Sequence, residues 1–306
     1  MRTLRIALAA LLAAAAPASA QPERDWSTVQ IRVERVAPGV AVLFGAGGNI
    51  GLSYGADGNI VIDDQFAPLT DRILAAIRTV DPDPVRFVVN THWHGDHTGG
   101  NENLGRAGTV IVAHDNVRRR MSVEQLVRTE IVPPSPAGAL PVVTFSDNLT
   151  FHLNGDDIEI SHVANAHTDG DALIHWKSAN VLHMGDTFFN GMLPFIDLDS
   201  GGSIDGMIAA AGRGLEMAND QTVIIPGHGP VARRADLERY RDMLLHLRNR
   251  IGQGIARGQT LVQIQAEGHA NAYGRDSDFI TPAAFTEAVY RSLMREVAGI
   301  QDDHHH

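Results

Sequence analysis

Thr91-His92-Trp93-His94-Gly95-Asp96-His97-Thr98-Gly99-Gly100 is the stretch on which the fold turns. Three imidazoles and a carboxylate crowd together directly after Val85-Arg86-Phe87-Val88-Val89, an apolar run that reads as a buried strand. Polar side chains gathered at a strand end cost free energy if buried without partners, whereas a divalent cation holds each of them as a ligand. The rest of the chain is therefore read as scaffold and as the source of further ligands.

Upstream, residues 29–64 read as a β meander with strands at 31–33, 40–44, 50–54 and 60–62 and glycine-marked turns at 45–49 and 55–59. Residues 67–80 place Leu69, Ile73, Leu74 and Ile77 at helical spacing and close on Asp81-Pro82-Asp83-Pro84. This βαβ step delivers the His cluster to the carboxyl end of a strand. Downstream, a strand is expected at 109–113, a helix over 116–131 stopped by Pro133, Pro134 and Pro136, and strands at 142–145, 149–153, 158–160, 172–176, 180–183 and 223–225. Helices are expected over 204–216 and 234–251 and from the Thr281-Pro282 cap to about residue 297. The second half echoes the first and no linker separates them, so residues 21–303 are expected to form one domain.

Residues 1–20 combine Arg2 and Arg5, an apolar stretch, and Ala18-Ser19-Ala20 as a small-x-small cleavage site. This pattern is a secretory signal peptide, shorter than a membrane span, and implies export to the periplasm. His304, His305 and His306 end the chain as a purification-tag remnant would. A hydrophobic content of 44% supplies a packed core, and the net charge of −11 argues against nucleic acid as a partner. With no cysteine, the chain has neither disulfides nor thiolate ligands, so any metal must be held by His, Asp or Glu. Nothing in the sequence sets an oligomeric state.

Three more positions put a His or Asp in a glycine-marked turn after a β segment: His167 in Ala166-His167-Thr168-Asp169-Gly170-Asp171, Asp186 in His183-Met184-Gly185-Asp186-Thr187, and His228 in Pro226-Gly227-His228-Gly229-Pro230. With His92, His94, Asp96 and His97 they make seven N/O donors, enough for two metals sharing one carboxylate, and five imidazoles suit zinc. In this order the motifs resemble the metallo-β-lactamase fold superfamily, over essentially residues 29–297. Val61-Ile62-Asp63 matches the acidic motif that precedes the His cluster there. The resemblance implies a four-layer αββα sandwich with the metals on one rim. It implies that His92, His94 and His167 hold one zinc, that Asp96, His97 and His228 hold the other, and that Asp186 bridges them. Asp63 or Asp64 then stands behind a ligand histidine.

The implied chemistry is hydrolysis of a small molecule by a hydroxide bridging two zincs, with Asp96 orienting it and passing the proton on. The cysteine-bearing β-lactamases have a thiolate where Asp186 stands and a lysine that grips the substrate carboxylate, and this chain has neither. Asp at that place is shared with glyoxalase-II-like thioesterases and lactonases. The run from Met184 through Ser203 resembles exported β-lactamase-like hydrolases, so a β-lactam is the first expectation and a thioester or lactone the second. A third is a persulfide-dioxygenase-like enzyme using one iron. Specificity is expected from residues 45–49 as a flap beside Phe44 and from residues 193–203 as the opposite wall, with Ser200 or Ser203 either forming the turn or binding a carboxylate. His114, His152, His162, His175, His183, His246 and His269 are read as structural.

Overall fold

Residues 24–297 are described by the computed structural model, so the leader read at residues 1–20 and His304, His305 and His306 lie outside the described residues. The first sheet contains β1 (Arg32–Ala37), β2 (Val40–Phe44), β3 (Ile50–Ser53), β4 (Asn59–Ile62), β5 (Val85–Val89) and β6 (Val110–His114) in that order. A separate hairpin of β7 (Gln125–Val127) and β8 (Glu130–Val132) follows, and β9 (Val143–Phe145) then completes the first sheet beside β6. The second sheet takes β10 (Asn148–Leu153), β11 (Asp156–His162), β12 (Ala172–Trp176), β13 (Val181–His183) and β14 (Val223–Ile225). Strands β4, β5 and β6 run parallel, as do β13 and β14.

Both faces of these strands are covered, which is why they read as continuous apolar runs. The period of two still sorts the side chains. Val40, Val42, Ile60 and Ile62 meet Ile174, Trp176, Val181 and Ile225 between the sheets. Ala41, Leu43 and Val61 face outward, packing with Ile73 and Ile77 of α1 (Thr70–Arg78) and, past the one-turn α2 (Gly95–Thr98), with Leu104 of α3 (Asn101–Arg106). After α4 (Asp115–Met121), the helices α5 (Ile204–Met217), α6 (Arg234–Ala256), α7 (Leu261–Ala266) and α8 (Pro282–Val297) cover Leu173, Leu182 and Ile224 on the far face of the second sheet. The order is helix, sheet, sheet, helix, as expected.

One expectation fails. The helix expected over residues 116–131 ends at Met121 and gives way to the hairpin of β7 and β8. Gln125-Leu126-Val127 pairs antiparallel with Glu130-Ile131-Val132, Leu126 opposite Ile131, and Arg128 turns the chain with left-handed φ 59°. The helix read at 234–251 extends to Ala256, and α7, not anticipated separately, opens with a Thr260–Gln263 capping box.

The carboxyl ends of β4, β5, β13 and β14 lie on one rim, and Asp63, His92, Asp186 and His228 follow them there. The two sheets are stitched at this rim. Ala172 N donates to Thr91 O (2.9 Å), Asn49 N donates to Gly227 O (2.8 Å), and His183 Nε2 donates to Asn49 O (3.0 Å). Among the described residues no helix is long and apolar enough to cross a membrane.

Trp176 is fully buried between the sheets. Trp176→Ala is expected to lower unfolding free energy by about 3–5 kcal/mol through lost transfer energy and the cavity left behind. Urea unfolding checks this, and a loss below about 1 kcal/mol would mean that the two sheets do not share a packed core.

Candidate metal centre

The turn after β5 points His92 inward, and the single turn of α2 brings Asp96 and His97 to the same side, with His97 N and Thr98 N donating to His94 O (3.0 and 3.1 Å). His167, Asp186 and His228 enter from the turns before β12, after β13 and after β14. All seven expected donors thus come together. They form overlapping groups, His92–His94–His167, His92–His97–Asp186 and Asp96–His97–His228, each with ligand atoms within 4.8 Å of one another.

Asp186 sits at the centre, with 6% of its side chain exposed. Its Oδ1 lies 3.1 Å from His97 Nε2 and 3.4 Å from His228 Nε2. Its Oδ2 lies 3.6 Å from His167 Nε2 and 3.9 Å from His92 Nε2. One carboxylate therefore offers one oxygen to each half of the cluster.

The tautomers follow from what stands behind each ring. Asp63, fully buried, accepts from Thr91 N and Thr91 Oγ1 (both 2.8 Å) and from His97 Nδ1 (2.7 Å). The Thr91 hydroxyl proton is thereby used, so His92 Nδ1 donates to Thr91 Oγ1 (3.0 Å). His167 Nδ1 donates to Phe195 O (2.8 Å) and His94 Nε2 to Asp197 Oδ2 (2.9 Å). In neutral rings this leaves lone pairs on His92 Nε2, His94 Nδ1, His97 Nε2 and His167 Nε2, all turned toward the cluster.

Lone pairs of this kind need a donor or a cation to face. His92 Nε2 is buried without a hydrogen-bond partner, His94 Nδ1 stands 2.8 Å from His167 Nε2, and His97 Nε2 and Asp186 Oδ1, 3.1 Å apart, have only each other. Buried acceptors facing acceptors are costly, and cations between them remove the cost. The residues present therefore fit a metal centre.

Charge tells the same story. Burial alone would push His228 down, but the carboxylates of Asp186 and Asp96 draw it up to about 9. Burial would push Asp96 up, but His97 and His228 outweigh it and bring its carboxyl down to about 2. His97 is likewise held well above its ordinary range against burial by Asp186, Asp96 and Asp63. In the deeper group burial wins, and His167 falls to about 4. The Asp96–His97–His228 side attracts positive charge, and it is also the open side: Asp96 and His228 keep 31% and 26% of their side chains exposed.

Asp63, and not Asp64, stands behind a candidate ligand; Asp64 accepts from Gly100 N (2.8 Å) under α3. Residues 45–49, expected as a flap, are fastened to the floor of the site. Gln65 accepts from Ala46 N (3.2 Å) and donates to Gly48 O (2.7 Å), while Gly48 N donates to Asp96 O (3.1 Å). A Cβ on Gly48 would lie 2.1 Å from the His97 ring, so only glycine allows this approach. The option that Ser200 or Ser203 binds a carboxylate is overturned. Ser200 is fully buried with Oγ accepting from Trp93 Nε1 (3.2 Å), and Ser203 Oγ accepts from Gly206 N (2.9 Å) to cap α5 while donating to Asn165 O (2.8 Å).

Sequence reading missed Asp197 and Asp171. Asp171 accepts from His167 N, Thr168 N and Thr168 Oγ1 (2.7, 2.8 and 2.7 Å) and so shapes the His167 turn. The signal for Asp197 was an acid inside the apolar run Phe195-Ile196-Asp197-Leu198. None of the histidines read as structural is among the candidate metal groups.

The family model described as metallo-beta-lactamase superfamily matches residues 43–250. A hydroxyacylglutathione hydrolase of Anaeromyxobacter dehalogenans is 31% identical over 137 residues, which cover 44% of this chain and 44% of that protein. The 2,4-dinitroanisole O-demethylase subunit alpha of Nocardioides sp. is 26% identical over 175 residues, covering 56% of this chain and 48% of that one. The chain thus spans less than half the length of these curated relatives. Among solved structures, a metallo-beta-lactamase from Pontibacter korlensis superposes with TM-score 0.58 at 20% identity, over 71% of this chain and 99% of that one. The inverting sec-alkylsulfatase Pisa1 from Pseudomonas sp. does so with TM-score 0.62 at 18% identity, over 90% of this chain and 51% of its own. At these identities the structures establish the fold alone.

Stripped with a chelator, the protein should owe stability to the raised His228. That contribution is fully present below the ordinary histidine value of 6.5 and is lost as pH rises through about 9. Urea midpoints should therefore fall between about pH 6.5 and 9, and His228→Gln should make that fall shallower. An identical fall in the variant would show that His228 is not held by Asp186 and Asp96.

Proposed function

We propose that this chain, which belongs to the metallo-beta-lactamase superfamily, is a hydrolase that uses two zinc ions against the carbonyl of a small substrate. The observation that carries the reading is the division of Asp186, with Oδ1 toward His97 and His228 and Oδ2 toward His92 and His167. His92, His94 and His167 would hold one ion and Asp96, His97 and His228 the other. Five imidazoles and two carboxylates, without sulfur, favour zinc. When bound, such a pair lowers the pKa of a shared water toward neutrality and polarises the substrate oxygen.

The chain's own groups supply the remainder. Asp96 Oδ2, on the open side and 3.3 Å from His228 Nε2, is placed to orient the attacking water by accepting its hydrogen bond. Phe189 stacks on His228 (5.2 Å) and Phe195 on His94 (5.8 Å), so aromatic faces restrict water at the rim. Ser200 and Ser203 are committed to the scaffold, so neither serves as a nucleophile.

A small cyclic amide or ester, a β-lactam first, is the substrate class. The fold, and a leader at residues 1–20 that would send the protein to the periplasm, support it. Recognition would differ from a lysine grip, because the lone lysine, Lys177, pairs with Glu159 on the second sheet. The hydroxyacylglutathione hydrolase relatives favour a second reading, a thioester.

Zinc-loaded protein assayed against a penicillin, a cephalosporin, a carbapenem, a lactone and a glutathione thioester decides between them. Opening of a β-lactam is expected, thioester cleavage alone would shift the assignment to the second reading, and no hydrolysis, or one iron with oxygen uptake, would contradict both. Asp186→Ala is expected to lose at least one zinc and ~100-fold or more in turnover. Unchanged zinc content would remove Asp186 as the bridge.

A further inference from the structure

Residues 195–202 touch the cluster twice. Phe195 supplies the carbonyl that accepts from His167 Nδ1, and Asp197 supplies the carboxylate that accepts from His94 Nε2. His94 and Asp197 keep 10% and 2% of their side chains exposed, so this pair is formed out of water. The stretch is also tied to the backbone of the His167 turn. Asp197 N donates to His167 O (3.0 Å), Gly202 N to Asp197 O (2.8 Å), and Ser203 N to Ala166 O (2.9 Å). A Cβ on Gly202 would stand 2.3 Å from His167 O, and Gly201 takes left-handed φ +79°. The Ser200-Gly201-Gly202-Ser203 turn is thereby explained: it lets the strap lie flat on His167. Ser200 holds the strap from the other side, its N donating to Asp197 Oδ1 (3.2 Å) and its Oγ accepting from Trp93, the residue before His94.

We propose that Asp197 is a positioning residue for the metal centre, fixing the His94 tautomer that turns Nδ1 inward, and that it does so as part of a strap aligning two of the three imidazoles of the deeper group. The inference rests on the metal-hydrolase reading. A carboxylate behind a ligand imidazole fixes the ring and raises its basicity, and loss of such a partner weakens metal binding by ~10–100-fold. Asp197 also accepts from the turn at Ser200, so a purely structural role is the competing account. Asparagine separates the two: with its carbonyl oxygen on Ser200 N it keeps the turn, while its NH2 group then faces His94 Nε2 and removes both the charge and the acceptor that fix the tautomer.

The test uses the full chain, stripped of metal and titrated with Co²⁺ alone, read by its visible absorption bands and by bound metal per chain. Wild type is expected to take up two ions. Asp197→Asn should bind one of them ~10–100-fold more weakly with altered bands, while the thermal midpoint of the stripped protein stays unchanged, and Asp197→Ala should bind it more weakly still. Equal affinity and identical bands in wild type and Asp197→Asn would overturn the inference alone. A wild type that binds no Co²⁺ would overturn the metal reading and the inference with it. A second measurement needs no variant: long-range ¹H–¹⁵N correlation on zinc-loaded wild type should show His94 protonated at Nε2, and protonation at Nδ1 would overturn the proposal.

Discussion

A single buried carboxylate, Asp186, stands between two sets of imidazoles that arrive from different parts of the chain, and the surrounding structure serves to bring them to it. Burial raises the cost of its charge, and the imidazoles of His228 and His97 offset that cost so far that its carboxyl is held well below the ordinary range. Removing those histidines, or the cations they would hold, leaves a charge in the protein interior. The constraint acts across the whole sandwich, because His97 follows a strand of the first sheet while Asp186 and His228 follow strands of the second.

The support behind the cluster is economical. Asp63 alone receives Thr91, by backbone and hydroxyl, and His97, so it fixes His97 directly and His92 through Thr91. It does so from left-handed backbone (φ 64°), and Gln65, two residues on, is also left-handed (φ 57°) while clamping residues 46–48 under His97. Strained backbone held by surrounding bonds is characteristic of functional sites. Asp197 plays for His94 the part that Asp63 plays for His97, so each half of the cluster has one imidazole backed by a buried acid.

Much of this was legible in the sequence because chemistry and geometry coincide there. His92, His94, Asp96 and His97 lie close in the chain, and the apolar runs 40–44, 60–62 and 172–176 announce strands buried on both faces. What was not legible depended on long-range contact. Asp63 and Asp64 are adjacent and chemically alike, and only the backbone turn between them decides that Asp63 reaches His97 while Asp64 reaches Gly100. Asp197 lies 103 residues from His94, and its neighbours Ser200 and Ser203 are polar residues that the fold uses to hold Trp93 and to cap α5. Residues 116–131 misled through composition: apolar spacing compatible with a helix was settled as a hairpin, in which Leu126 pairs with Ile131 across the turn at Arg128.

Anomalous diffraction at the zinc edge, on crystals of metal-loaded protein, tests the account most directly. Two zinc peaks about 3.5–4 Å apart, one on each side of the Asp186 carboxylate, are predicted. A single peak, or peaks that leave Asp186 uncoordinated, would contradict it.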